Sequence, residues 1–203
     1  MTAHTAHDPA IPAEADPSPC HTAELLVHVA RLVHGAASDP SLTPAQWTAL
    51  RYFASANRFS RTPSAFSEFH ATTRGTASQT VKSLIAMGLL ARKANEADGR
   101  STLIEVTPAG QAKLAGDPLA DLSHCVRAMP ANERAMFAGA LARLGSELAR
   151  LRAVPTFGQC GECGHCDREA PGGAFCRCTQ SSLNGDDMGS LCIDFAPTPP
   201  RIR

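Results

Sequence analysis

The chain reads as a mainly α-helical fold with one small β-ribbon and a cysteine-rich tail, and three observations predict it. Thr-Pro pairs at Thr43-Pro44, Thr62-Pro63 and Thr107-Pro108 mark helix starts. Threonine satisfies free backbone N–H groups there, and proline suits the first helical position. A single Asp98-Gly99 pair between two extended runs predicts one hairpin. Six of the eight cysteines fall between Cys160 and Cys192, which sets that stretch apart from the helical part.

A chain of 203 residues buries one ordinary core, with room for a small addition that needs its own staple. The 19 basic and 19 acidic residues cancel, so any electrostatic argument must be local. No apolar run approaches the length of a membrane span, and the first residues have neither a basic nor an apolar signal region. The expectation is a cytoplasmic protein with no membrane partner. Thiols stay reduced in that compartment, so clustered cysteines there point to metal or redox chemistry rather than to disulfides.

Residues 1–19 are rich in Ala, Pro, His and Asp and read as a disordered leader. Over 22–36, Leu25, Val29, Leu32 and Val33 recur at helical spacing. The second helix opens with the capping box Thr43-Pro44-Ala45-Gln46 and is expected to bury Trp47, Leu50 and Ala54. A short helix from Thr62 turns Phe66 and Phe69 inward. In the next helix Ala77, Val81, Leu84 and Ile85 face one way, while Arg74, Ser78, Gln79, Lys82 and Ser83 face the other. Gly88 ends it in a left-handed cap backed by Leu89. After the hairpin and Thr107 the chain is helical again, and over 131–152 the residues Phe137, Ala140, Leu141, Leu144, Leu148 and Leu151 hold helical spacing until Pro155.

Two short helices, a third with small and polar outward residues, and then a basic hairpin form the order of a winged helix-turn-helix. Such a third helix enters the major groove, where short hydroxyl, amide and guanidinium side chains match base edges. Between positions 43 and 115 there are nine basic and four acidic residues, a local excess of five positive charges inside a neutral chain.

The run LTPAQWTAL, then TPSAFSEFHATTRGTASQTVKSLIAMGLL and DGRSTLIEVTPAG, resembles the DNA-binding domain of the multiple-antibiotic-resistance-regulator (MarR) family of bacterial transcription factors. The likeness covers residues 22–152. Its most specific part is Asp98-Gly99-Arg100 followed by Leu103, Thr107 and Gly110. The resemblance implies a homodimer on a pseudo-palindromic double-stranded operator, with the first helix and the last two helices of each subunit interlocking. It also implies that Arg74, Ser78, Gln79 and Lys82 face the groove and that Thr73 or Thr76 holds phosphate. Arg100 becomes the wing-tip residue, oriented by Asp98. The domain division that follows is 1–19 leader, 20–153 winged-helix and dimerisation part with a DNA-binding core at 43–110, and 154–203 cysteine-rich segment and tail.

Cys160-x2-Cys163-x2-Cys166, Cys176-x-Cys178 and Cys192 have metal-ligand spacing, because thiolates two residues apart on a glycine-bearing turn converge on one centre. Four ligands suffice for zinc or for an iron-sulfur cluster, so the spacing leaves the metal open. The preferred set is Cys160, Cys163, Cys178 and Cys192, with Cys166 and Cys176 as alternates and His165 as a competitor. Phe157, Phe175 and Phe195 flank the segment, either as a water shield or as the whole core of a small zinc-stapled knob. Cys125 reads as a small buried hydrophobe. Cys20, just ahead of the first helix, suits a reactive thiol, and some members of the resembled family sense hydroperoxides near such a place.

The sequence has no paired carboxylates, His-Glu metal motif, nucleophile elbow or phosphate loop, which argues against an enzyme. The leading expectation is a dimeric DNA-binding regulator, a repressor, whose metal-thiolate site senses redox or metal status. That signal would travel through the helix 131–152, which ends where the cysteines begin. The alternatives are the same regulator with structural zinc and a small-molecule effector, a thiol-based peroxide sensor, and an iron-sulfur electron carrier.

Overall fold

The computed structural model describes residues 18–35, 41–94 and 102–198, in two compact units, Met1–Ala37 and Ser38–Arg203. The first contains α1 (Pro19–Gly35). It begins three residues earlier than the sequence suggests, since Ser18 precedes Pro19 and its hydroxyl accepts from the His21 amide at 3.5 Å. Cys20 therefore lies inside the first turn rather than ahead of the helix. Leu25, Leu26, Val27, Val29 and Leu32 are all exposed.

In the second unit α2 (Pro44–Ser55) starts from the expected capping box: Thr43 accepts from the Gln46 amide, and the Gln46 side chain returns the bond to Thr43. Its buried residues are Trp47, Ala49, Leu50, Tyr52 and Phe53. Ala54, expected in that stripe, is exposed. Neighbours cover α2 on several sides, so the buried arc widens past Leu50 to Tyr52 and Phe53 and still leaves Ala54 outside. Helix α3 (Pro63–Phe69) is capped by Thr62 and buries Phe66, while Phe69 packs partly buried against the same core.

Helix α4 (Arg74–Ala86) is capped by Thr73 and buries Ala77, Val81 and Leu84. Gly88 sits at φ 73°, with the Gly88 amide on the Ile85 carbonyl and the Leu89 amide on the Leu84 carbonyl. This double bond is the Schellman stop that a glycine allows. The chain turns directly into β1 (Leu90–Ala94), which pairs antiparallel with β2 (Thr102–Val106). The predicted Asp98-Gly99 turn and Arg100 lie outside the described residues. Thr107 caps α5 (Pro108–Leu114) and also donates to the Gly88 carbonyl at 2.6 Å, which ties the wing's root to the end of α4.

Helices α6 (Leu119–Ala128) and α7 (Ala131–Arg152) follow. The Arg51–Asp117 ion pair at 2.7 Å fastens α2 to the connection before α6. Helix α6 buries none of its residues, so Cys125 is exposed and not the buried hydrophobe expected. Ala149 is the only residue of α7 that is buried, and Met136, Phe137, Leu141, Leu144, Leu148 and Leu151 are exposed. The helix ends on Ala153 at φ 51°, ahead of Pro155.

The cysteine segment belongs to the same compact unit. It is built of short ladders: β3 (Gly158–Gln159) pairs β7 (Leu191–Cys192), and β5 (Phe175–Cys176) lies between β4 (Cys166–Asp167) and β6 (Ser181–Ser182). A single helical turn, α8 (Gly185–Met188), carries an Asn184–Asp187 capping box.

Candidate DNA-reading helix and the cysteine segment

The geometry of α4 follows from its residue order. Small and apolar Ala77, Val81 and Leu84 fix one face in the core. Thr73, Arg74, Thr76, Gln79 and Lys82 are exposed on the other, with Ser78 half-buried between them. Thr73 has a structural task as well, since its hydroxyl accepts from the Thr76 amide at 3.2 Å. Ser83, expected on the outer face, instead accepts from the Gln46 side chain at 2.9 Å. The bond ties α2 to α4. On the wing, Lys93 pairs with Glu105 across the ladder at 3.1 Å, leaving Arg92 exposed.

The fold that carries the helix-turn-helix α3–α4 and the β1–β2 wing is similar to that of solved structures. It is similar to Streptococcus pneumoniae FabT in complex with DNA, at 19% identity and a TM-score of 0.50 over 65% of this chain and 98% of that one. A crystal structure of a MarR family transcription regulator matches at 21% identity and a TM-score of 0.50, covering 64% of this chain and 89% of the other. A probable transcriptional regulator from Pseudomonas aeruginosa shares 24% identity with a TM-score of 0.49, over 64% of this chain and 98% of that one. No curated protein matches. The family model that matches, over residues 41–101, is that of the MarR family. Residues 41–101, the stretch from α2 through the first wing strand, are thus similar to the MarR family.

The MarR match stops well short of the cysteines. Cys160, Cys163, Cys176 and Cys192 are buried, Cys166 is half-buried, and Cys178 and Cys20 are exposed. Leu183 and partly buried Phe59, Met188 and Phe195 pack around the buried thiols. Phe157, expected in that shield, packs instead against Tyr52 and Phe69 in the main core. The signal for its true partners lay in the α2 and α3 aromatics, which attract it more strongly than the small cysteine cluster does.

Sulfur acceptors recur. The His165 and Ala196 amides both donate to the Cys163 sulfur at 3.4 Å, and the Asn57 Nδ2 donates to the Cys160 sulfur at 3.3 Å. Burial pushes the Cys160 thiol up to about 11, an effect opposed by the Asn57 bond and reinforced by nearby Cys192, Cys176 and Asp187. Burial likewise raises Cys192, against hydrogen bonds that include Asn57 and Ser60. Cys178, though exposed, is raised first by desolvation and then by Asp194 and the Cys176, Cys192 and Cys163 thiols. Among the described residues no three His, Cys, Asp or Glu side chains are grouped so that they could hold a metal ion as they stand.

Sequence reasoning did not find Asn57, Arg58 and Ser60. These residues lie in the turn from α2 to α3 and join it to the cysteine segment. The Asn57 amide donates to the Leu191 carbonyl at 2.8 Å, and the Ile193 amide donates to the Ser60 hydroxyl at 3.0 Å. Arg58 reaches Asp187 at 3.5 Å. Only the Asn57-Arg58 pair, polar between two apolar helices, could have drawn attention to them. Among the described residues no helix is long and apolar enough to cross a membrane.

Proposed function

We propose that this chain acts as a dimeric repressor that reads a pseudo-palindromic DNA duplex with α4 and its wing. The observation that carries this reading is the division of α4. Three buried residues lock it to the core, while Arg74, Thr76, Gln79 and Lys82 stand exposed together. Exposed guanidinium, hydroxyl, amide and ammonium groups on a rigid helix match base edges and phosphates. Arg100, which the family resemblance assigns to the wing tip, would extend the contact to the minor groove. FabT, whose structure contains DNA, supports the same use of the fold. The apolar faces of α1 and α7 supply the dimer interface, since each leaves large aliphatic side chains exposed and such surface is covered by a second copy in symmetric dimers.

A second part of the proposal concerns the cysteines. Buried Cys160, Cys163, Cys176 and Cys192, with Cys178 at the rim, form a metal-thiolate site for zinc or an iron-sulfur cluster. Burial replaces Cys178 by Cys176 in the preferred set. The support is the donor chemistry: Cys160, Cys176 and Cys192 lie in one small buried cluster, and the Cys163 and Cys160 sulfurs accept N–H bonds that favour the thiolate form a metal needs. Ligation would draw these sulfurs closer together. Selection of duplexes from a random-sequence library, followed by anisotropy titration, tests the DNA reading; a protein that binds every duplex equally would overturn it. Metal analysis of anaerobically purified protein, with its visible spectrum, tests the site and tells cluster from zinc. Less than about a tenth of a metal ion per chain, judged against the tight binding of structural sites, would overturn it.

A further inference from the structure

The cysteine segment is seated on the turn that leads from α2 into the DNA-reading pair α3–α4. Asn57, 1% exposed, makes contacts in both directions. Its Oδ1 accepts from the Phe59 and Ser60 amides at 3.1 and 2.9 Å and so shapes the turn. Its Nδ2 donates to the Cys160 sulfur. Its own amide donates to the Leu191 carbonyl, one residue before Cys192. Ser60, fully buried, accepts from the Ile193 amide, one residue after Cys192, while its carbonyl accepts from the Tyr52 hydroxyl at 2.7 Å. The turn is thus bonded to both chain neighbours of Cys192 and to the sulfur of Cys160. Beyond the turn, the Arg61 carbonyl accepts from the Ile104 amide at 2.8 Å, which joins the same stretch to the wing strand β2.

We propose that the state of the cysteines controls DNA reading within a single subunit, through the Asn57–Ser60 turn, rather than by way of α7 and the spacing of the two subunits. The proposal rests on the regulatory reading above. When Cys160 and Cys192 are drawn together by a metal, or forced apart by a bulky thiol adduct, the atoms that must shift are those bonded to Asn57 and Ser60. The turn they hold continues directly into the Thr62 cap of α3, and α3 packs on α4. A buried turn fixed by hydrogen bonds passes on such a shift because neither end has free space to absorb it. Asn57 and Ser60 are positioning residues here. They touch no DNA.

The test uses the full-length chain, a duplex selected on the protein as purified, and p-hydroxymercuribenzoate, which opens the segment whether its thiols hold a metal or are free. Three proteins are compared: wild type, Asn57→Asp and Ser60→Ala. Asn57→Asp keeps the acceptor that shapes the turn and removes the donor to Cys160. In the wild type the mercurial should change duplex affinity on the order of tenfold, the range of ordinary allosteric couplings, and raise amide exchange over 56–62. In both variants the affinity change should shrink to less than about threefold on that scale, with metal content unaltered. An affinity response equal in all three proteins would overturn the proposal. So would a wild-type response that leaves exchange over 56–62 untouched while the α7 amides change. Should Asn57→Asp fail to fold, Ser60→Ala together with the exchange map decides. Metal content is measured on the same samples, so a chain that lacks metal but responds through the turn would refute the metal site alone.

Discussion

The Asn57 side chain donates to the Cys160 sulfur at 3.3 Å, across 103 positions of sequence. That bond joins the end of the second helix to the first cysteine of the tail, and it changes what the tail is next to. An extension that follows α7 in sequence is packed on the turn between α2 and α3 as well. The first prediction therefore concerns ligand identity. Cys160→Ser, Cys163→Ser, Cys176→Ser and Cys192→Ser should each remove most of the bound metal, and Cys178→Ser should leave it in place. Metal-to-protein ratios after purification check this. Loss with Cys178→Ser and retention with Cys176→Ser would restore the set preferred from spacing alone.

Gln79→Ala should weaken binding to a selected duplex by about 1 to 3 kcal/mol, the worth of a good base contact, and leave binding to random duplex nearly unchanged. Arg100→Ala should act similarly at the wing. Gln79 is exposed, so circular dichroism and melting temperature should not move. Anisotropy titrations at fixed salt read the effect. Unchanged affinity in both variants would sink the assignment of the groove face and the wing.

Leu144→Glu and Leu148→Glu should shift the protein toward monomer in sedimentation experiments. Both residues are 45% exposed in the single chain, and a charge placed on such a surface would be stranded in an interface. A dimer that withstands the double substitution would mean that α7 lies outside the interface.

Gly110→Ala should destabilise the domain by about 1 to 3 kcal/mol or more, as overpacking does. The added methyl group would overlap the Leu89 carbonyl oxygen and lie 2.7 Å from a Val106 methyl. The first neighbour is backbone and has little room to yield. Thermal denaturation measures the loss, which should be accompanied by weaker DNA binding because Gly110 lies where α5 meets the root of the wing.

Much of the winged-helix part was legible because its signals are local. Each Thr-Pro pair acts on an amide three residues away, and the Gly88 turn stops α4 with bonds to Leu84 and Ile85. Cys125 and Ala54 were misread for a different reason. Whether a small residue on a helix is covered depends on what packs there, and no residue near in sequence supplies that information. Ser83 illustrates the same limit, since its partner Gln46 is 37 positions away.

The sequence alone determined the three Thr-Pro helix starts and the Gly88 stop, the ribbon, most of the polar face of α4 and the existence of a cysteine-rich segment. All of these follow from periodicity, capping and spacing over a few residues. Only the tertiary structure decided which cysteines are buried, that Phe157 joins the aromatic core, and that Asn57 and Ser60 hold the tail to the α2–α3 turn. The reason is that hydrogen bonds and packing between segments over a hundred residues apart depend on how the chain closes on itself, which no local pattern records.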